Sequence, residues 1–259
     1  MADHVLARLR DRLPVQLPYD GILADAYDAW IPVDEVFPDD AAYEVLLTQV
    51  DGPVLELGCG TGRPMLRWLA AGHDVEGVDA SADMLAILRR NAEARGLRPV
   101  VHHGDIAPLD LGRSYAAIVC PAGTFTLIDD ADRAAAALRS YLGHLRPGGR
   151  LGLTLARLAP TGEESLRWRI RRTGTLADGT TVVVHEALHL GAGSRCQEVY
   201  NRLEAYEPDG RLSGTWLRRL RLRSWDRDEA EAAVAAAGFV DVGSLGGEDG
   251  WVTFGARPG

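Results

Sequence analysis

Three glycines at alternate positions, Gly58, Gly60 and Gly62, follow the apolar run of residues 54–57. Glycine is needed where the backbone adopts positive φ, or where a ligand approaches the main chain too closely for a Cβ atom. The pattern predicts a buried strand, a tight turn and the start of a helix, whose first N–H groups suit an anionic ligand group. The turn therefore indicates a site for a nucleotide-like ligand.

Two acids follow the glycine turn at the ends of later predicted strands. Asp79 closes a short apolar strand about twenty residues after the turn, a spacing at which an acid takes the two hydroxyl groups of a ribose. Asp105 lies in the loop after the next predicted strand, where its carboxylate could accept from the exocyclic amine of an adenine. Because ligands bind at the carboxyl ends of parallel strands, we expect both acids to lie at the glycine turn.

Predicted strands and helices alternate along the first part of the chain and would position these residues. The helix that precedes the fifth strand is predicted to run from Asp130 to Arg146 and to stop at residues 147–149. Alternation of this kind is typical of a doubly wound α/β sheet. The last two predicted strands, 239–245 and 251–256, are expected to form an antiparallel pair at one edge of that sheet. Earlier strands are predicted at residues 54–57, 74–79, 99–103, 114–120 and 150–155.

A different pattern occupies residues 161–223. Consecutive strands with short turn signals between them predict an antiparallel sheet, inserted as a cover over the carboxyl edge of the main sheet. The expected organisation is a helical cap (1–50), a main α/β domain (51–160 and 224–259) and the insertion (161–223). Arginines cluster in its first and last strands, and they would favour a phosphorylated or nucleotide-linked substrate if those two strands were neighbours.

Composition limits the classes of protein to consider. The chain has 259 residues, 46% of them hydrophobic, which suits one elaborated α/β domain. A net charge of −9 without a long basic run argues against a nucleic-acid partner. The three cysteines are dispersed and lack metal-ligand spacing, so we expect no metal and a reducing, cytoplasmic location. No segment is apolar for long enough to suggest a membrane span, and a homodimer is left open.

Four pieces, in this order, resemble the class I S-adenosylmethionine-dependent methyltransferases: residues 56–62, residues 78–81 with Met84, residues 104–105 and residues 145–149. The resemblance implies a Rossmann-like, doubly wound, seven-stranded sheet with an antiparallel last strand. It also implies S-adenosylmethionine as cofactor, S-adenosylhomocysteine as product and a small-molecule methyl acceptor. The cofactor-binding residues that it implies are Tyr19, Tyr27, Glu56, Gly58, Cys59, Gly60, Gly62, Asp79, Ala80, Ser81, Met84, Asp105, Ile106 and Cys120.

A narrower resemblance is to the aminosugar N,N-dimethyltransferases of bacterial specialised metabolism. It rests on the spacing of Tyr19 and Tyr27, on residues 102–105 and on the four-stranded insertion. Residues 120–127 lack the histidine that those enzymes carry after their fourth strand, and residues 156–163 replace an apolar, Trp-rich segment. An aminosugar is therefore one candidate acceptor, and transfer to an N or an O atom is left open.

The sulfonium cofactor supplies an activated methyl group, so the protein mainly has to hold the acceptor in line and exclude water. Where the acceptor must lose a proton, a base can help, and Tyr19, His185 and His189 are the candidates. The two histidines are evenly spaced and would share one strand face. Two alternatives stay open: an NAD(P)-dependent oxidoreductase, which shares the glycine turn and the acid, and a protein that binds S-adenosylmethionine without catalysis.

Overall fold

The structure is a computed structural model that describes residues 19–158, 167–190, 194–247 and 250–259. The helices are α1 (Ile22–Trp30), α2 (Asp40–Thr48), α3 (Arg63–Ala70), α4 (Ala82–Glu93), α5 (Ala131–His144) and α6 (Arg227–Ala236), with a 3₁₀ turn at Thr124–Leu127. The strands are β1 (Val54–Leu57), β2 (Val75–Asp79), β3 (Val100–His103), β4 (Tyr115–Cys120), β5 (Leu145–Leu155), β6 (Arg169–Thr175), β7 (Thr181–His189), β8 (Cys196–Tyr206), β9 (Leu212–Arg223), β10 (Val240–Gly246) and β11 (Trp251–Ala256).

The larger sheet has seven strands in the order β10-β11-β5-β4-β1-β2-β3. Strands β1 to β5 are parallel, β11 pairs antiparallel with β5, and β10 pairs antiparallel with β11. The two central strands, β1 and β4, are buried at every residue, because helices cover both faces of a parallel sheet. The predicted doubly wound sheet with an antiparallel last strand is confirmed.

The winding of the chain reverses between β1 and β4, which are neighbours in the sheet although β2 and β3 separate them in sequence. Alternate residues of β1 pack on opposite helical layers. Leu55 and Leu57 belong to the core on one face, and Val54 belongs to the core on the other. In open sheets of this kind, ligands bind at the carboxyl ends of the strands where the winding reverses.

Two helix ends depart from what their local sequence favours. Helix α5 ends at His144, two residues early, because the buried Leu145 already pairs with Tyr115 of β4. Asp226 precedes α6 but makes no capping bond, since its carboxylate accepts from Arg157 and Arg195 instead. Neither difference moves the residues at the carboxyl edge of the sheet.

The smaller sheet is antiparallel, with its four strands in the order β6-β7-β8-β9. Val182 and Val184 of β7 pack against Leu23 and Ala26 of α1, so one face of this sheet rests on the N-terminal helix. The predicted antiparallel sheet is confirmed. Its arginine-rich strands, β6 and β9, lie at opposite edges, so the condition for a joint phosphate site on neighbouring strands is not met.

The predicted division into a cap, a main domain and an insertion stays a prediction. Residues 1–18 of the cap, and residues 159–166 at the border of the insertion, lie outside the described residues. Within the described part of the chain, none of the helices combines the length and the apolar character that a bilayer span requires.

Candidate active site

A cavity of about 750 Å³ lies at the carboxyl edge of the larger sheet. Glu56 and Gly58 line it from the end of β1, Asp79 from the end of β2, and Pro121 from the loop after β4. A cavity of this volume falls within the range that small-molecule ligands occupy, which is roughly 300–1,000 Å³. The reversal of winding between β1 and β4 therefore places a ligand-sized space at the glycine turn.

The glycine turn has left-handed backbone at each of its glycines, with φ of 67° at Gly58, 53° at Gly60 and 94° at Gly62. A Cβ atom on Gly58 would lie 2.4 Å from Cγ2 of Thr124, whereas a Cβ atom on Gly60 would meet no atom closer than 3.8 Å. The absence of a side chain at Gly58 thus lets Thr124 pack closely. At Gly60 it leaves the backbone open to a ligand.

Asp79 is fixed at the end of β2 by two backbone N–H groups. Gly60 N–H donates to Oδ2 at 2.9 Å, and Ser81 N–H donates to Oδ1 at 2.8 Å. Burial raises the pKa of Asp79, while these two donors act in the opposite direction. Each oxygen keeps a lone pair, so the carboxylate can accept from two further hydroxyl groups, as a ribose would require.

Asp105 is held by a partner that the sequence does not suggest. Its Oδ1 accepts from Ala107 N–H at 2.9 Å, and its Oδ2 lies 2.5 Å from Nη2 of Arg133. Arg133 belongs to the first turn of α5 and also donates to the carbonyl of Ala107 at 3.1 Å. Both Asp105 and Arg133 line the cavity. This end of the cavity therefore offers a positioned carboxylate to a base such as adenine.

The wall beneath the glycine turn holds buried polar atoms that have no hydrogen-bond partner among the described residues. They are Oε2 of Glu56, Oγ1 of Thr61 and Nη2 of Arg63. All three side chains line the cavity. Burial raises the pKa of Glu56 well above its ordinary value. Because unpaired buried polar groups cost free energy, these atoms indicate that the cavity is completed by a polar ligand.

Two tyrosines line the cavity side by side. The rings of Tyr19 and Tyr27 meet edge to face with centroids 5.6 Å apart. Arg218 of β9 places its guanidinium 3.9 Å from the centroid of the Tyr19 ring, and Leu222 of the same strand lines the cavity. Burial raises the pKa of Tyr27 to about 12. The smaller sheet therefore reaches the site through β9.

The structure brings most of the predicted cofactor residues together. Gly62, Ser81 and Cys120 do not line the cavity but support it: a Cβ atom on Gly62 would press on Leu66 and Leu88, Ser81 caps α4, and Cys120 is fully buried. The predicted residues that line the cavity are Tyr19, Tyr27, Glu56, Gly58, Cys59, Gly60, Asp79, Ala80, Met84, Asp105 and Ile106.

The two predicted histidines do not line the cavity. Residues alternate between the faces of a strand, so His185 and His189 project away from the face on which Val182 and Val184 pack against α1. His185 instead places Nε2 at 3.0 Å from Oε2 of Glu204 on the neighbouring strand. They share a strand face as expected, but it is the face opposite the one that packs on α1, and their predicted role as bases gains no support from this placement.

Residues such as Arg63 and Arg133, which sequence reasoning missed, come from helices rather than from strand ends. Arg63 directly follows the third glycine, and Arg133 lies three residues after the cap of α5. The sequence signal that could have identified both arginines as site residues is their position in the first turn of a helix. This signal is weak, because most arginines at such positions face solvent.

Comparisons with known proteins agree with this geometry. Residues 54–149 match the family described as methyltransferase domain. The dTDP-3-amino-3,6-dideoxy-alpha-D-glucopyranose N,N-dimethyltransferase of Streptomyces fradiae is 32% identical over 139 residues, 52% of this chain and 53% of that protein. The cypemycin N-terminal methyltransferase of a Streptomyces species is 31% identical over 135 residues, 51% of this chain and 53% of that protein. The matches thus span about half the length of these curated relatives.

Solved structures share the fold over almost the whole chain. The sugar N-methyltransferase KedS8 from a Streptoalloteichus species has a TM-score of 0.70 at 22% identity, covering 95% of this chain and 98% of that one. An S-adenosylmethionine-dependent methyltransferase from Clostridium acetobutylicum has a TM-score of 0.68 at 15% identity, covering 99% and 98%. All of these proteins are methyltransferases, and the oxidoreductase alternative gains no support from them.

Proposed function

We propose, from the match of residues 54–149 to a methyltransferase domain, that this protein transfers a methyl group from S-adenosylmethionine to an amine of a small molecule. The observation that carries the proposal is the cavity at the glycine turn, where Asp79 accepts from Gly60 N–H and Oε2 of Glu56 has no hydrogen-bond partner within the described part of the chain. These residues fit an adenosine with an amino-acid tail. The cofactor supplies a methyl group already activated by the sulfonium, and the chain's residues bind and orient it.

An amine is the acceptor that the described lining favours. An amine bound in its neutral form needs no base, whereas a hydroxyl group does. The described lining contains no histidine or lysine, and of the three candidate bases it includes Tyr19 alone. Burial raises the pKa of the neighbouring Tyr27 to about 12, so that phenol is protonated at neutral pH. Tyr19 and Tyr27, which line the cavity, can hold the acceptor through their rings and hydroxyl groups.

A sugar amine is the first acceptor to test. Two of the matched proteins are named as methyltransferases of sugar amines, and the cypemycin relative is named for a peptide N-terminus. The three free cysteines, far apart in sequence, suit a reducing compartment, and we propose the cytoplasm.

Transfer of labelled methyl groups to a panel of aminosugars, sugar nucleotides, peptide amines and phenols tests the function. The rate with an amine is expected to rise with pH until the acceptor's own ammonium group is deprotonated, and then to level off. Transfer to phenols alone would contradict the amine assignment. Binding of NAD(P) in place of S-adenosylhomocysteine would contradict the whole proposal.

The affinity for S-adenosylhomocysteine is expected to fall on acidification. The fall is expected to begin at a higher pH than it would if the ribose were bound by an exposed aspartate. Burial raises the pKa of Asp79, and ribose hydroxyls donate to its ionised form, so protons compete with the ligand. Affinity is therefore constant above the raised pKa and decreases below it, by up to about tenfold per pH unit for each proton taken up. The raised pKa of Glu56 acts in the same direction.

Titration calorimetry across pH measures this dependence. Asp79→Asn cannot be protonated in this range, and the part of the dependence that belongs to Asp79 is expected to vanish in this variant. A pH profile identical to that of the unmodified protein would contradict the assignment of Asp79 to the ribose.

A further inference from the structure

The loop that follows β4 has an unusual backbone conformation at the cavity. Ala122 and Gly123 both lie in the left-handed region, with φ of 56° and 75°, and both line the cavity. For an alanine this conformation costs about 1–2 kcal/mol, because its Cβ atom approaches the following carbonyl oxygen. Such strain persists only where the surrounding structure holds it, and it clusters at functional sites. The contact that holds Ala122 is therefore a candidate for a role in function.

Asp39 makes that contact from a distant part of the chain. Its Oδ2 accepts from the N–H of Ala122 at 2.9 Å. Asp39 is the N-cap residue of α2, a position at which an aspartate ordinarily accepts from an N–H group of its own helix. The side chain of Asp39 makes no such capping bond. Its carboxylate is therefore used for the loop after β4 rather than for α2.

The carboxylate of Asp39 is itself fixed by a chain of hydrogen bonds. Oγ1 of Thr154, on β5, donates to Oδ2 of Asp39 at 2.5 Å. The hydroxyl group of the fully buried Tyr43 lies 2.7 Å from Oγ1 of Thr154. Tyr43 also donates to the carbonyl of Cys120, the last residue of β4, at 3.0 Å. The contacts thus return to the strand that leads into the loop, so α2 and β5 together set the position of Ala122.

The peptide group between Ala122 and Gly123 is available to a ligand. Within the described part of the chain, neither the carbonyl of Ala122 nor the N–H of Gly123 has a hydrogen-bond partner. The loop lies beside the glycine turn, since a Cβ atom on Gly58 would meet the side chain of Thr124. A molecule bound at the glycine turn therefore meets this loop, and the unused carbonyl and N–H can form hydrogen bonds with a bound acceptor.

We propose that Asp39 is a positioning residue for methyl transfer, which holds the peptide group between Ala122 and Gly123 where it contacts the acceptor. This inference rests on the proposed function, because it takes an amine as the methyl acceptor. Asp39 does not line the cavity, so it acts through the loop. A displacement of that peptide group by about 1 Å would lower the rate of transfer by up to about a hundredfold. The acids at the ends of β2 and β3 belong to other loops, so binding of the cofactor is unaffected.

Kinetics with a dTDP-linked aminosugar as the acceptor test this role. Asp39→Ala is expected to lower kcat for transfer of labelled methyl groups by about tenfold to a hundredfold. Its affinity for S-adenosylhomocysteine, measured by titration calorimetry, is expected to stay within about threefold of the unmodified protein. Asp39→Asn keeps an oxygen that can accept from Ala122 N–H and from Thr154, and its kcat is expected to stay within about threefold. Thermal unfolding checks that each variant is folded.

A substitution in the loop tests whether Asp39 acts through the backbone of Ala122. Glycine adopts the left-handed conformation without the cost that alanine has. Adding Ala122→Gly to Asp39→Ala is therefore expected to raise kcat by at least about threefold over Asp39→Ala alone. A general loss of stability would not be reversed by a more flexible residue.

Hydrogen exchange at the amide of Ala122 measures the contact without any acceptor. Ala122 is exposed, and Asp39 is the one described residue that accepts from its N–H. Exchange is expected to be at least about tenfold faster in Asp39→Ala, since a hydrogen bond to a charged group is lost. Asp34→Ala is the matched control, because its carboxylate is 84% exposed and pairs with Arg95. We expect no change in kcat or in this exchange rate for the control.

The outcomes separate this inference from the proposed function. If the unmodified protein methylates no amine, the proposed function fails, and an exchange rate that is equal in Asp39→Ala would also contradict the hold on the loop. If it methylates an amine, Asp39 is not a positioning residue when folded Asp39→Ala keeps its kcat, when Asp39→Asn loses as much, or when Ala122→Gly restores nothing. A fall in kcat at unchanged affinity, partly reversed by Ala122→Gly, supports the inference.

Discussion

Asp79→Ala is expected to weaken binding of S-adenosylhomocysteine by at least about a hundredfold, because two hydrogen bonds to a charged group are lost together. The substitution also releases the N–H groups of Gly60 and Ser81, which the carboxylate holds at 2.9 and 2.8 Å. The glycine turn and the start of α4 would then no longer be connected through hydrogen bonds to one carboxylate. Titration calorimetry gives the affinity, and circular dichroism checks the fold.

Asp83→Ala is the control for Asp79→Ala. Asp83 lies in the first turn of α4, which follows the strand that ends at Asp79. Its carboxylate accepts from Gly21 N–H at 2.7 Å, but the residue is exposed and does not line the cavity. Its loss is expected to change affinity by no more than about threefold. A folded Asp79→Ala protein that binds as tightly as the control would show that Asp79 does not hold the ribose.

Asp40→Ala is expected to lower the free energy of unfolding by about 3–5 kcal/mol, the range for breaking a buried ion pair on one side. Asp40 is 1% exposed and pairs with both Arg63 and Arg67. Without it, two guanidinium groups remain close together and partly or fully buried. Urea unfolding of the free protein measures the loss.

Asp25→Ala serves as the comparison for stability. Asp25 pairs with Arg90 at 3.9 Å, but both side chains are more than half exposed, so its loss is expected to cost no more than about 1 kcal/mol. Adding Arg63→Met and Arg67→Met to Asp40→Ala is expected to restore part of the stability, since the uncompensated charges are removed. Equal losses of unfolding free energy for Asp40→Ala and Asp25→Ala would show that the buried carboxylate of Asp40 contributes no more to stability than an exposed ion pair does.

The cofactor half of the site could be predicted because its residues lie at the ends of consecutive strands. The glycines, Asp79 and Asp105 each follow an apolar run, and parallel strands deliver their carboxyl ends to one edge regardless of loop details. The alternation of β7 likewise placed His185 and His189 on one face. The alternation of residues along β7 does not determine which of its two faces packs on α1. The structure shows that it is the face of Val182 and Val184.

The sequence by itself determined the doubly wound sheet, the glycine turn and the acids that meet it, because these depend on local periodicity and on the rule for parallel strands. Only the tertiary structure decided that Arg63, Arg133 and Leu222 line the cavity and that β6 and β9 lie at opposite edges. These placements depend on strand order and on contacts between distant segments. Asp40 and Arg63, for example, lie on different helices and meet only when α2 and α3 pack on the same face of the sheet.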